Sequence, residues 1–410
     1  MNLLRNARWL SFGTLLGLSV ACSVGCSISA QDGEGDDDLS ADNTDQAITD
    51  VKNSPVKRQS IGNCWLYATA SWTESVNMSA TGTAFNVSES YWTYWHWFDE
   101  LTRGYVSKEI ETGGSFEVAS EIIKNYGLMA EADFIPDEGD AEMSARQKSA
   151  LAAMNASVTT GALKDPAARR DRALVRSELD KAWGLKPEVT AQLDRVFGKD
   201  VSKNLRSSRT YTSGTKVVRP TYFKAKYKNG STGASKTTTL RVAVDEWRSV
   251  SYPTWGATSR RDFQIRFQKA LNDAQPVVVS WFVDFNAMSR QGTFEAPPTT
   301  PGHQGGHMTV MEDYEIDGVP GFGTLKAGTP ATQDQLKASL SPAAKIKFIR
   351  IKNSWGAYRP DRWDTSAMPG FHDLYMKYLD GPVKHCPEEG STTGCYDDVP
   401  LNDVVLPPGY

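Results

Sequence analysis

Apolar residues recur at helical spacing from Cys64 to Met78, where Trp65, Ala68, Trp72 and Val76 share one face. Ser88 to Leu101 predicts a second helix, heavily aromatic through Tyr91, Trp92, Tyr94, Trp95, Trp97 and Phe98. A third, Ser115 to Tyr126, follows Gly113-Gly114 and stops at Gly127. Residues 139–205 are polar and helical, with starts at Asp165-Pro166 and Lys186-Pro187 and an apolar stripe of Val189, Leu193 and Val196. The period then changes. Residues 210–247 have strand character around an Asn229-Gly230 turn, and Lys224, Lys226 and Lys228 alternate on one face, as on a guarded strand edge. Phe263 to Leu271 is an amphipathic helix. Pro276 to Val283, His307 to Met311 and Phe348 to Lys352 read as strands. The chain is therefore expected to be α+β, helical in its first part and β-rich in its last, without an internal repeat.

With 410 residues the chain can bury a large core in one domain or two. Its 40% hydrophobic and 23% charged residues are ordinary for a globular protein. The N-terminus changes the picture. Arg5 and Arg8 precede an apolar run, Trp9 to Val20, too short to span a bilayer as a mature helix. Residues 1–22 thus read as an export signal. Small residues before Cys22 resemble a bacterial lipoprotein signal, which would attach the protein to a membrane through a lipidated Cys22; plain signal cleavage and secretion is the other outcome. Gln31 to Asp50 holds eight acids and no base, so residues 23–54 are expected to be an acidic disordered linker before a domain spanning 55–410. The whole chain carries −4; without those eight acids and the two arginines, residues 51–410 carry +2. That near-neutral balance implies no nucleic-acid partner.

Cys386 and Cys395 lie nine residues apart in a polar tail, and in an exported protein they are expected to form a disulfide. Cys64 then remains as a thiol in an oxidising compartment, at the start of a helix whose terminal N–H groups favour an anion. A thiolate there can attack a carbonyl carbon, and the Gln59 amide can donate to the oxyanion that forms. A base is needed. Of five histidines, His96 reads as a packing residue, and His372 and His385 as surface or loop residues. His307 opens a strand directly after Gly305-Gly306. His303 and His307 make a poor metal pair, because Gln304-Gly305-Gly306 is not helical and no acid completes the set; neither metal nor cofactor is implied. Asn353 follows a strand and precedes Ser354-Trp355-Gly356, and its side-chain oxygen can orient an imidazole.

Gln59…Gly62-Asn63-Cys64-Trp65, Gly113-Gly114, Gly306-His307-Met308-Thr309-Val310 and Ile351-Lys352-Asn353-Ser354-Trp355-Gly356 resemble, in order, the papain superfamily of cysteine peptidases. Val87 to Tyr91 and Phe263 to Val283 look closer to its bleomycin hydrolase or aminopeptidase C branch. The resemblance implies two lobes, a helical left one and a β-barrel-like right one, with a large α/β insertion over about 139–250 and a C-terminal tail over about 381–410. It implies Cys64 as nucleophile, His307 as base, Asn353 as its orienting group and Trp355 as a shield over their bond. Gln59 would help form the oxyanion hole, and Gly113 and Gly114 would pair with an extended peptide or protein substrate. Peptide bonds would be cleaved through a thioester.

Two spacings depart from the family: five positions separate Gln59 from Cys64 where six are usual, and an insertion at 317–344 lengthens the segment from His307 to Asn353. Three readings stand: an endopeptidase, an aminopeptidase whose tail limits the cleft, and a catalytically silent binding protein on the same scaffold.

Overall fold

The computed structural model describes residues 48, 51–357, 369–387, 391 and 393–410. The signal segment with Cys22, and most of the acidic run, lie outside the described residues.

Three helices carry the first part: α1 (Cys64–Thr81), α2 (Glu89–Arg103) and α3 (Phe116–Tyr126). The last two start where a side chain can cap them, with Ser88 and Ser115 accepting from the N–H groups of Tyr91 and Val118. Helix α2 is rich in aromatic residues because it is buried nearly all round, with residues 89–98 and Leu101 all in the interior. Two of its aromatic polar atoms find backbone partners: Tyr91 Oη donates to the Tyr126 carbonyl at 2.6 Å and Trp92 Nε1 to the Gly127 carbonyl at 2.9 Å. Trp95 stacks on Tyr126 with ring centroids 4.1 Å apart.

After α4 (Glu131–Phe134), the region read as an insertion supplies α5 (Ala145–Thr159), α6 (Arg172–Ala182) and α7 (Pro187–Phe197). Pro187 does open α7, whereas Asp165-Pro166 leads through a turn into only a short 3-10 helix, Ala168–Arg170. The helix nearby starts at Arg172, because Asp171 caps the N–H groups of Ala173 and Leu174. Strands β1 (Lys224–Lys228) and β2 (Ser235–Thr239) form the expected hairpin, with Ala225 and Tyr227 buried and the lysines facing outward. Elsewhere in 210–247 the strand expectation fails: residues 210–223 are turns and irregular chain apart from a bridge at Val218, and Leu240–Glu246 is helix α8, whose Leu240, Ala243 and Val244 turn into the core at helical spacing.

Next come β3 (Arg248–Ser251), α9 (Ala257–Asn272), β4 (Val277–Asp284), β5 (Gln304–Val319), β6 (Gly323–Leu325), α10 (Gln333–Ser339) and β7 (Lys345–Lys352). The chain ends with β8 (Phe371–Tyr375), α11 (Met376–Leu379), β9 (Val383–His385), β10 (Tyr396–Asp398) and β11 (Leu401–Leu406). One seven-stranded sheet runs in the order β3-β11-β4-β5-β7-β8, with β6 on β5. Its end strands do not pair with each other, so among the described residues the sheet is open, not a closed barrel.

Two apolar clusters fill the interior. One lies between the helices and the sheet face carrying Val278, Met308, Val310 and Val405. The other covers the opposite face, with Val279, Trp281, Ile349 and Val404 packed under Phe267 and Leu271 of α9. The 139–250 region is no separate unit: Met154, Leu179, Leu193 and Leu240 belong to the same core as Trp72 and Trp95.

Both chain ends correct the expected boundaries. Residues Ile48 and Val51, placed in the linker, are buried at 3% exposure. The Ile48 N–H donates to Asp313 Oδ1 at 3.1 Å, and its carbonyl accepts from Ala331. The folded unit thus reaches at least to residue 48, because these two apolar side chains have a sheet to cover. The tail is not loose either. Leu401–Leu406 is an inner strand of the sheet, and Tyr410 is held by α9 through Arg266 and by Asp273. Cys386 and Cys395 are joined in a disulfide that closes the β9–β10 ribbon.

Candidate active site

Cys64 is the first residue of α1 and is buried. Asn63 occupies the N-cap position without capping, because its side chain turns into the core. There its Nδ2 donates to Thr93 Oγ1 at 2.9 Å and to Gln147 Oε1 at 3.0 Å. The first turn therefore keeps its amide groups for the neighbourhood of the thiol, and the helix dipole adds partial positive charge there.

Gln147, on α5 and fully buried, also donates to Tyr67 and Ser90. Nearby, Ser60 Oγ donates to the Ser144 carbonyl, and the Arg58 N–H to the Glu142 carbonyl. Residues 142–147, inside the supposed insertion, thus brace the loop that leads to Cys64. Sequence reading missed them; a polar residue such as Gln147 on a helix gives no local sign that it is buried.

His307 lies on β5 beside Trp281 of β4 and is 4% exposed. Its Nε2 is 2.7 Å from Asn353 Oδ1. The Ser354 N–H also donates to that oxygen, which fixes the amide orientation. A carbonyl oxygen only accepts, so Nε2 carries the proton and Nδ1 presents its lone pair. That Nδ1 is buried and finds no hydrogen-bond partner among the described residues. Trp355 stacks on the imidazole at 4.8 Å and 19°, covering the bond to Asn353. Burial, opposed by the Asn353 bond and assisted by His372, pushes the His307 pKa down to about 4. The ring is thus neutral at ordinary pH and able to accept a proton. In a Cys64→Ala variant, NMR titration of ¹⁵N-labelled histidine is expected to give a His307 midpoint near 4. A midpoint at or above 6.5 would mean that the ring is solvated.

The Cys64 loop and the Asn353 strand end are zipped together. The Gln59 N–H donates to the Ser354 carbonyl at 2.9 Å, and the Gly356 N–H to the Lys57 carbonyl at 3.2 Å. Gly356 has φ +87°, and a Cβ there would fall 2.5 Å from Glu142 Oε1, so this crossing needs glycine. Gln59 itself is partly committed: its Oε1 accepts from Ser354 Oγ at 2.6 Å and its Nε2 donates to the Ile61 carbonyl at 2.9 Å. One N–H of the amide remains for another acceptor.

The Gly113-Gly114 segment lies against the residue after the cysteine. Trp65 Nε1 donates to the Thr112 carbonyl at 2.8 Å, and a Cβ on Gly114 would sit 2.5 Å from the Trp65 ring. A Cβ on Gly113 would meet nothing within 4 Å. His96 packs edge-on to Trp65 at 4.9 Å.

The remaining histidines differ from expectation in part. His372 is not on the surface: it is buried in β8, its Nδ1 2.7 Å from the Gly292 carbonyl and its ring edge-on to Trp355. His385 lies on β9 with its ring against Phe282 at 4.3 Å. His303 packs on Phe285, which in turn packs on Trp355. Among the described residues no group of three or more His, Cys, Asp or Glu side chains is arranged to hold a metal ion.

No family model matches the chain, and no curated protein matches it. Solved structures do. PepW from Lactobacillus rhamnosis HN001 is similar over 89% of this chain and 82% of its own, at 12% identity and a TM-score of 0.39. Xylellain, a cysteine protease from Xylella fastidiosa, is similar over 88% of this chain and 85% of its own, at 12% identity and a TM-score of 0.35. The Carica candamarcensis cysteine protease CMS1MS2, solved in complex with E-64, is similar over 87% of this chain and 93% of its own, at 14% identity and a TM-score of 0.31. All three likenesses are distant, and the second and third are to cysteine proteases.

Proposed function

We propose that the protein is a cysteine peptidase that hydrolyses peptide bonds through Cys64, His307 and Asn353. The observation that supports this reading best is the imidazole of His307. One nitrogen is bonded to Asn353 at 2.7 Å under the Trp355 ring, and the other is buried with its lone pair presented. Nδ1 takes the thiol proton as sulfur attacks the substrate carbonyl, and later gives it to the leaving amine. The α1 terminus, with the remaining Gln59 N–H, stabilises the oxyanion. Water then hydrolyses the thioester.

Gly113 and Gly114 pair with the substrate backbone. Of the two peptidase readings the endopeptidase is favoured, because the tail that would limit an aminopeptidase cleft is taken up as an inner strand of the sheet. We further propose that the protein is exported, either released or held at a membrane through a lipidated Cys22.

The test is labelling by a thiol-reactive peptide epoxide. Stoichiometric modification of Cys64, absent in Cys64→Ala, together with cleavage of amino-terminally blocked peptides is expected. A folded, reduced protein that is neither labelled nor active would leave the silent binding protein as the better reading.

A further inference from the structure

Strand register places Met308, Ser280, Asp403 and Ser251 side by side across β5, β4, β11 and β3. Cross-strand neighbours share a face, and this row shares its face with Ser249, Val405, Val278 and Val310, one pleat repeat along. The row begins next to His307. Met308 is buried, Ser280 and Asp403 are half-buried, and Ser251 is exposed, so the row opens outward. The start of α3 lies over this face, because Ser249 Oγ donates to Glu117 Oε1 at 2.6 Å. Glu117 is only three residues beyond Gly114. The sheet surface running outward from Met308 under the start of α3 thus carries a carboxylate partway along it.

That carboxylate has incomplete company. Ser280 Oγ donates to Asp403 Oδ1 at 3.1 Å, and among the described residues no lysine or arginine forms an ion pair with it. Burial, and then the charge of Glu117, raise the Asp403 pKa to about 6 against the pull of the Ser280 bond. Arg248, on β3, donates to the Trp247 carbonyl, and its charge acts on Glu117. A half-buried carboxylate without a cation lacks the partner that would stabilise it most.

An extended peptide sends alternate side chains to opposite sides. The one directed from the Gly113-Gly114 backbone toward the sheet passes Met308 before it meets Asp403. From Met308 to Asp403 is two strand spacings, about 10 Å. That length suits the long stems of lysine and arginine, which pack on apolar surface and carry their charge at the tip.

We propose that Asp403 is a specificity-determining residue, selecting substrates with a lysine or arginine at the one position whose side chain runs along this row. The inference rests on the cysteine-peptidase reading and deepens it.

The test is a positional peptide library on the full chain, scanning each residue on the acyl side of the cleaved bond. One position is expected to favour arginine or lysine over norleucine by 10-fold or more in kcat/KM. Asp403→Asn is expected to bring that ratio near one while changing turnover of the norleucine peptide by less than about threefold. In the unaltered protein the ratio should grow as the pH rises through about 6, since the carboxyl is neutral below and charged above. That readout needs no variant and stands even where Asp403→Asn folds poorly. Equal ratios in both proteins, or a ratio indifferent to pH, overturn the role of Asp403. An absence of Cys64 labelling overturns the peptidase reading itself, so the two failures are distinguishable.

Discussion

Replacing His307 with alanine is expected to lower kcat/KM on a peptide amide by roughly 10⁴-fold, with the loss in kcat and KM little changed. In the proposed mechanism the imidazole removes a proton only as the sulfur attacks, so its contribution would appear in the transition state and not in substrate binding. Asn353→Ala is expected to cost less, because it frees the ring to rotate without removing the base. Steady-state kinetics on both variants, with circular dichroism to confirm folding, would check this. A His307→Ala protein retaining more than a tenth of normal kcat would rule out the ring as base.

The same ring links activity to acid stability. His307 titrates at about 4 when folded and about 6.5 when unfolded, so below 6.5 the unfolded chain binds a proton that the native ring refuses. Its contribution to stability is complete above pH 6.5. It is lost as the pH falls toward 4, reaching about 3 kcal/mol at ~1.4 kcal/mol per pH unit. His96, also buried and also lowered to about 4, adds in the same direction.

Removing the cation of Lys57 is the second change with a large expected effect, this time on stability. Its Nζ lies 2.7 Å from Glu89 and 3.2 Å from Glu74 and donates to the Val87 carbonyl at 3.0 Å. The two carboxylates are 5% and 1% exposed. Burial works against the charge on Lys57, but these acids outweigh it and hold its pKa above the ordinary lysine value. Lys57→Met strands two buried acids and is expected to cost about 3–5 kcal/mol. The Lys57→Met/Glu74→Gln/Glu89→Gln triple variant should recover part of that, since the two stranded carboxylates become neutral amides while Glu131 and Lys352 still lose partner charges. Urea denaturation of the three proteins measures the difference; equal midpoints for Lys57→Met and the unaltered protein would show that the trio is solvated. Lys57 also adjoins the strand crossing at Gly356, so its loss is expected to loosen the site as well as the core.

Legibility along the chain follows the range of the interactions involved. Helix α1 was readable from its 3.6-residue apolar period, and α2 and α3 also from a capping serine, because these signals are contained within a few neighbouring residues. The β1–β2 hairpin and the strands around Val279, Val310 and Ile349 were readable for the same reason. Helix α8 was not: Leu240 to Glu246 has a strand-like composition, and it coils because its apolar residues meet a helical core. The burial of His372, and the docking of Ile48 and Val51 on a sheet they do not adjoin in sequence, are likewise decided by distant partners.

The amino-acid sequence by itself determined the mixed class of the protein, the starts of its main helices, and the residues worth testing as nucleophile, base and orienting group. It did so because reactive side chains next to helix starts, glycines and strand ends leave marks at short range. Only the tertiary structure decided that the sheet stays open, that the tail is one of its inner strands, and that α5 braces the cysteine loop through Gln147. Tertiary contact also joined Gln59 to Ser354, 295 residues away, and set Asp403 in a row with Met308. Such pairings depend on which surfaces meet when the core closes, and no local period records them.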